Sequence, residues 1–344
     1  MDNDTYQRID SITARVLDGG DMTTEEARWM IRLDDDYLPW LMAGADRIRK
    51  TNRGNEIEVC AISNVRSGNC SENCSFCAQS GHHKTSAPVY NYISSEELSR
   101  QAQQAREWGA SDFGVVSKGW GVRSDKERKQ LKEYFDTLEK ESDIGRCASL
   151  GVLDNETATE LKTMGMENYH HNLECAESFF DQVCSTHTYQ ENIDTIKAAT
   201  DAGLRVCSGG ILGMGESLDQ RIELADTLRQ LGVESVPLNF LSPQPGTPFA
   251  DRAPMEPMEI LKCIAVYRYM LPRAEIRIAG GRQFLGDMQS MIFMAGASGV
   301  MIGDYLTTKG RQVADDLKML SDLKLRPRED TQQRRANKQQ AASA

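Results

Sequence analysis

No stretch of this sequence is apolar for long enough to span a bilayer, which takes about 20 residues. Basic residues are in deficit. Forty Lys and Arg against 51 Asp and Glu leave a net charge of −11, so nucleic acid, which needs a basic face, is not an expected partner. The first residues, Met1-Asp2-Asn3-Asp4, are acidic and polar and do not resemble a signal peptide. No internal repeat of motif strength is present. A dinucleotide fingerprint is also missing: Gly213-Met214-Gly215-Glu216 follows a strand pattern but lacks the third glycine. What the chain does have is nine cysteines. Without an export signal they read as reduced cytoplasmic thiols, free for metal binding or catalysis.

Three of them, Cys70, Cys74 and Cys77, form a C-x3-C-x2-C run with Phe76 just before the last thiol. Three thiolates so close can hold three irons of a 4Fe–4S cube. The missing fourth protein ligand leaves one iron open to a ligand that is not protein. Two other readings remain open at this point. His82 or His83 completes a Cys3His zinc site on paper. A disulfide framework would leave an odd thiol over.

Residues 1 to about 50 carry a helical pattern, with Thr23 and Glu26 spaced as a capping box. Beyond residue 55, short apolar runs alternate with amphipathic stretches. Strands are expected over 57–62, 113–117, 146–150, 168–173, 205–209, 236–240, 276–279 and 299–302. Helices are expected from Ser94-x-x-Glu97 and over 156–164, 189–202, 218–231, 257–270 and 285–296. Eight strands alternating with helices over about 250 residues predict a (β/α)8 TIM-type barrel, with a doubly wound open sheet as the alternative. The expected organisation is an N-terminal helical extension (1–50), the barrel (51–325) and a disordered tail (326–344), which is rich in Gln, Arg and Ala.

The ordered set of motifs resembles the biotin synthase family of radical S-adenosylmethionine enzymes over roughly residues 40 to 325. It comprises the cysteine triad, His171-Asn172-Leu173-Glu174, Thr188-Tyr189-Gln190-Glu191, Arg205 through Glu216, Ser235-Val236-Pro237-Leu238-Asn239 and Arg277 through Arg282. The resemblance implies a barrel in which Cys70, Cys74 and Cys77 hold a 4Fe–4S cluster whose open iron binds S-adenosylmethionine. Reductive cleavage gives a 5′-deoxyadenosyl radical that abstracts hydrogen from dethiobiotin, and an auxiliary iron–sulfur cluster donates the sulfur. It implies that Phe76 and Gln79 contact adenine, that Glu174 binds ribose, and that Gly209, Gly210 and Glu216 pass close to the cofactor. Asn172 and Asn239 would bind the ureido ring of the substrate, since an amide offers both donor and acceptor. A flavodoxin or ferredoxin electron donor and a homodimer follow from the same likeness.

The chain departs from the family pattern at the auxiliary cluster. Cys147, Cys207 and Arg277 match three of its four ligand positions, but the fourth falls on Gly114, which has no ligand atom. Cys175 and Cys184 appear where the common pattern has none. One of them or both are expected to join Cys147 and Cys207 in a relocated auxiliary cluster of 2Fe–2S or 4Fe–4S type. Cys60 and Cys263 read as core thiols. His187 stands where the family has an arginine near the cofactor carboxylate, and His170 replaces an asparagine beside the substrate. His171 and Arg282 fit either direct roles or a supporting hydrogen bond and a structural ion pair. The broken ligand set keeps a second function in view, a related radical enzyme that rearranges or cleaves its substrate without inserting sulfur. A third, an iron–sulfur electron carrier or redox sensor, leaves the glycine-rich turns and paired asparagines unexplained.

Overall fold

The computed structural model describes residues 2–142 and 144–328. Eight parallel strands close on themselves: β1 (Glu56–Arg66), β2 (Asp112–Ser117), β3 (Gly145–Ser149), β4 (Asn168–His170), β5 in two segments (Arg205–Cys207 and Gly210–Leu212), β6 (Ser235–Phe240), β7 (Glu275–Ile278) and β8 (Gly299–Met301). Val59 pairs with Val300 to shut the barrel. Parallel neighbours require crossover connections, and helices supply them on the outside. The open-sheet alternative is thereby excluded.

Each expected strand is present. The break in β5 falls at Ser208-Gly209 and has a steric cause. A Cβ on Gly209 would lie 1.9 Å from the Pro237 carbonyl oxygen, and one on Gly210 would lie 2.5 Å from that of Glu174. Only glycine lets β5 pass this close to its neighbours. Gly209→Ala is therefore expected to destabilise the barrel by about 3 kcal/mol or more, read as a fall in Tm, because backbone must move to admit one methyl group.

Four helices start at reciprocal caps. Thr23/Glu26, Ser124/Glu127, Thr188/Glu191 and Ser217/Gln220 form reciprocal capping boxes. The N-terminal helices Asn3–Leu17 and Leu38–Arg53 pack on Pro257–Met270, where Tyr269 Oη lies 2.7 Å from Thr13 Oγ1. One helix was not anticipated, Asp125–Glu141, although its buried Leu131, Tyr134, Phe135 and Leu138 carry the i, i+3, i+4, i+7 spacing. The helix expected over 285–296 is instead a 3-10 stretch, Arg282–Ser290, followed by the short helix Met291–Met294, because Gly286 adopts a positive φ of 49°. Arg326–Pro327 pairs with the start of β1, so regular pairing runs past the expected boundary at 325. The rest of the expected tail, 329–344, lies outside the described residues.

Candidate active site

Inward-facing residues alternate along each strand, and those near the C-terminal ends surround a cavity of about 300 Å³. That size suits a small organic ligand. The triad loop follows β1 and hangs over one side. Its shape is fixed by backbone bonds: Cys70 N–H donates to the Gln79 carbonyl (2.8 Å), Gly81 N–H to that of Cys70 (2.8 Å) and Cys77 N–H to that of Cys74 (3.0 Å). The three thiols are only partly buried. His82 and His83 turn Nε2 toward the carbonyl oxygens of Ser71 (2.9 Å) and Cys74 (3.1 Å). Both rings thus brace the loop, which disfavours the Cys3His zinc reading.

Phe76, Asn172, Glu174 and Asn239 line the cavity. Asn172 accepts from Gly209 N–H (3.1 Å), and Asn239 accepts from Gly280 N–H (2.9 Å), so both amides are held in fixed orientations. Glu174 sits at φ +67°, a strained turn for a non-glycine residue. Burial pushes its carboxyl up to about 7, although His170 and the Asn172 amide pull the other way.

Other expected contacts take a different form. Gln79 Oε1 accepts from Gly68 N–H (3.3 Å) and Asn64 Nδ2 (3.4 Å), so this side chain is turned into the loop. Glu216 accepts from Gly213 N–H (2.8 Å) and Arg221 Nε (2.7 Å) and stands behind the cavity wall. His187 Nδ1 lies 2.8 Å from Glu72 Oε2 and 3.3 Å from Cys184 Sγ. Burial pulls the imidazole pKa down, but these two partners outweigh it and hold it at about 9. His171 Nε2 meets Asn192 Oδ1 at 2.8 Å, and Arg282 forks onto Asp316 at 2.9 and 2.6 Å. Both side chains are engaged in these supporting contacts.

The thiols expected to gather around a relocated cluster do not do so. Cys184 Sγ sits 3.9 Å from Cys74 Sγ, at the triad loop, where with Glu72 and His187 it makes a compact polar group. Cys175 is turned away from the cavity into the apolar core, although its neighbour Glu174 faces the cavity. Cys147 and Arg277 line the deep end of the cavity, with Gly114 beside Cys147 in register. Cys207 lies against them, its Sγ 3.5 Å from Arg277 Nη1 and 3.3 Å from His170 Nδ1. Burial raises the Cys207 pKa, but Arg277 and His170 more than offset this and bring it to about 7.

Beneath the thiols lies a group the sequence reading did not single out. Glu58 is fully buried and accepts from Arg277 Nη2 (2.8 Å) and Arg205 Nη1 (2.6 Å). This pairing fixes which way the Arg277 guanidinium points. An acid between Ile57 and Val59 inside an otherwise apolar run, at the same parity as Ile62 and Asn64, was the available signal. Cys60, on the same face of β1, also lines the cavity.

Residues 64–228 match the radical SAM superfamily, and residues 237–326 match the biotin and thiamin synthesis associated domain. The chain is 46% identical over 323 residues to a biotin synthase of Syntrophotalea carbinolica, covering 94% of this chain and 98% of that one. It is 44% identical over 321 residues to a biotin synthase of Geobacter sulfurreducens, covering 93% and 98%. Among solved structures, methylornithine synthase superposes with a TM-score of 0.81 at 18% identity, covering 92% of this chain and 97% of that one. The [FeFe]-hydrogenase maturase HydG from Carboxydothermus hydrogenoformans gives 0.76 at 20% identity, covering 94% and 80%. At those identities the two structures speak to the fold alone.

Proposed function

The chain belongs to the biotin synthase family of radical S-adenosylmethionine enzymes, and on that footing we propose how its residues divide the reaction. The enzyme is a sulfurtransferase that inserts sulfur into dethiobiotin to form biotin. Its cofactors are a 4Fe–4S cluster, S-adenosylmethionine and an auxiliary iron–sulfur cluster. When bound, these supply the electron, the hydrogen-abstracting radical and the sulfur atom.

The residues present fit both clusters. The triad loop offers three thiols on a braced backbone. At the deep end of the cavity, soft thiol donors stand beside a cationic guanidinium whose Nε is buried without a hydrogen-bond partner. Cys70, Cys74 and Cys77 hold the 4Fe–4S cluster at the mouth. Cys147, Cys207 and Arg277 hold the auxiliary cluster at the floor, and Cys175 and Cys184 stay outside that set. Phe76 presents its ring to adenine. Glu174 accepts from the ribose hydroxyls. Asn172 and Asn239, oriented by the backbone, bind the ureido group from the walls. Gln79, Gly209, Gly210 and Glu216 act by shaping the backbone around the cofactor, and His187 supports the triad loop through Glu72. One cavity running from Phe76 on the triad loop down to Cys60 and Cys147 at the floor carries this reading, because a primary alkyl radical must form beside its target and away from water.

Three further parts of the reading rest on the family: a flavodoxin or ferredoxin electron donor, a homodimer and a cytoplasmic location. No helix among the described residues is long and apolar enough to cross a membrane. The division into an extension (1–50), a barrel (51–325) and a tail (326–344) belongs to the same proposal.

Anaerobic incubation with dithionite, S-adenosylmethionine and dethiobiotin tests the reading. Biotin should form together with 5′-deoxyadenosine. Deoxyadenosine without biotin would favour the related enzyme without sulfur insertion, which the glycine at position 114 keeps as the second reading.

Glu174 also makes cofactor binding pH-dependent. Ribose hydroxyls donate to its ionised form, so binding favours the deprotonated carboxyl. Affinity for S-adenosylmethionine should hold above about pH 7 and weaken as pH falls through that value, approaching tenfold per unit. Kd measured between about pH 5.5 and 8.5 should show this slope in the wild type and a flat line in Glu174→Gln. A flat wild-type profile would remove Glu174 from the ribose site.

A further inference from the structure

The buried cysteines fall into two groups. Cys175 and Cys263 are packed within the contiguous apolar core, with Cys184 at its edge beside the triad loop, whereas Cys60, Cys147 and Cys207 are buried but stand outside it. Those three lie on β1, β3 and β5. Their side chains surround the polar floor formed by Glu58, Asp112, Arg205 and Arg277.

The strand register explains how Cys60 comes to be there. Ile62 pairs with Gly114, and Gly114 pairs with Cys147. Cys60 lies two residues before Ile62 on β1, so its side chain falls on the same inner face, one layer deeper. It pairs with Asp112 on one side and Met301 on the other. The cavity wall contains Cys60, Gly114, Cys147 and Arg277 together. Gly114 itself has little room for a side chain: a Cβ there would sit 3.0 Å from Ile62 Cγ2. A thiol is absent from the strand position where the family pattern has one, and present one strand away on the same inner wall.

We infer that Cys60 supplies the auxiliary iron–sulfur cluster with the thiolate that Gly114 cannot, giving a ligand set of Cys60, Cys147 and Cys207 beside Arg277. This rests on the proposed auxiliary site at the barrel floor and names its missing ligand. Each thiol gives up its proton on loading. The Arg277 guanidinium, anchored by Glu58, faces the resulting negative charge. A free cysteine that only filled space would belong with Cys263 in the apolar core.

Anaerobic reconstitution of the full chain, with iron, acid-labile sulfide and Mössbauer spectra measured, tests the inference. The wild type should hold more than the four irons of one cube. Cys60→Ala and Cys207→Ala should each fall to about four irons per chain while the spectrum of the triad cluster remains, and Cys263→Ala should match the wild type. If Cys60→Ala keeps the wild-type iron while Cys207→Ala loses it, Cys60 is a core residue and the inference fails alone. If Cys207→Ala also keeps it, or the wild type holds only four irons, the floor site itself is wrong. Should Cys60→Ala lose the triad cluster through misfolding, the near-isosteric Cys60→Ser serves in its place. The triple variant Cys60→Ala, Gly114→Cys, Ile62→Ala removes the Cγ2 that crowds position 114 and should recover the lost iron. Failure of both to shift the auxiliary spectrum from that of the wild type would overturn the assignment.

Discussion

Cys77→Ala is expected to reduce S-adenosylmethionine cleavage by at least about 10³-fold, more than 4 kcal/mol of activation free energy. The loop built from Cys70 to Gly81 is braced by its own backbone bonds, and on the proposed reading each thiol would hold one corner of a cube. Cys184 stands next to Cys74, 3.9 Å away, and not at the Cys77 corner, so it is not placed to replace the lost ligand. Deoxyadenosine formation measured by chromatography checks this, with iron content falling by about four per chain. Near wild-type cleavage in Cys77→Ala would remove the triad from its role.

The second large effect concerns stability as well as chemistry. Glu58→Gln should destabilise the fold by about 3–5 kcal/mol, because buried Arg277 and half-buried Arg205 both lose their direct ion-pair partner. Burial alone would raise the Glu58 carboxyl, but Arg277 and Arg205 outweigh it and hold the group well below the usual carboxylate range. A depressed carboxylate contributes stability above its unfolded-state value of about 4.3 and loses it only as pH falls into strong acid. The deficit of the variant should therefore be present across neutral pH. Chemical denaturation at pH 7 measures it. The same variant should load the auxiliary iron poorly while keeping the triad cluster, since Glu58 sets the direction of Arg277. A change under 1 kcal/mol with full iron content would show that the floor network does neither job.

Much of the architecture was legible because parallel β/α units write it twice, once as apolar strand runs and once as capped amphipathic helices. Thr188/Glu191 and Ser217/Gln220 start their helices through local bonds that sequence spacing fully specifies. The Asp125–Glu141 helix was equally legible and was overlooked. The triad was readable for a similar reason, since its three ligands lie within eight residues. The floor was not, because its members come from different strands and meet only through register. Cys60 and Cys175 look alike as isolated cysteines. What separates them is that one shares the inner parity of Glu58 and Ile62, while the other follows a strained turn at Glu174 that sends it into the core. Cys184 was misplaced for the same reason. A loop position carries no parity, and the contact with Cys74 spans 110 residues. Gln79 and Glu216 were expected at the cofactor because their motifs are near it. Their polar atoms instead satisfy backbone N–H groups of the loops that carry those motifs.

Anomalous diffraction at the iron edge, from anaerobic crystals of the reconstituted protein, tests most directly the claim that one cavity joins two metal sites. Two separate peaks are predicted, one against Cys70, Cys74 and Cys77 and one at the barrel floor between Cys60, Cys147 and Cys207. A single peak at the triad, or a second peak at Cys175 or Cys184, would contradict it.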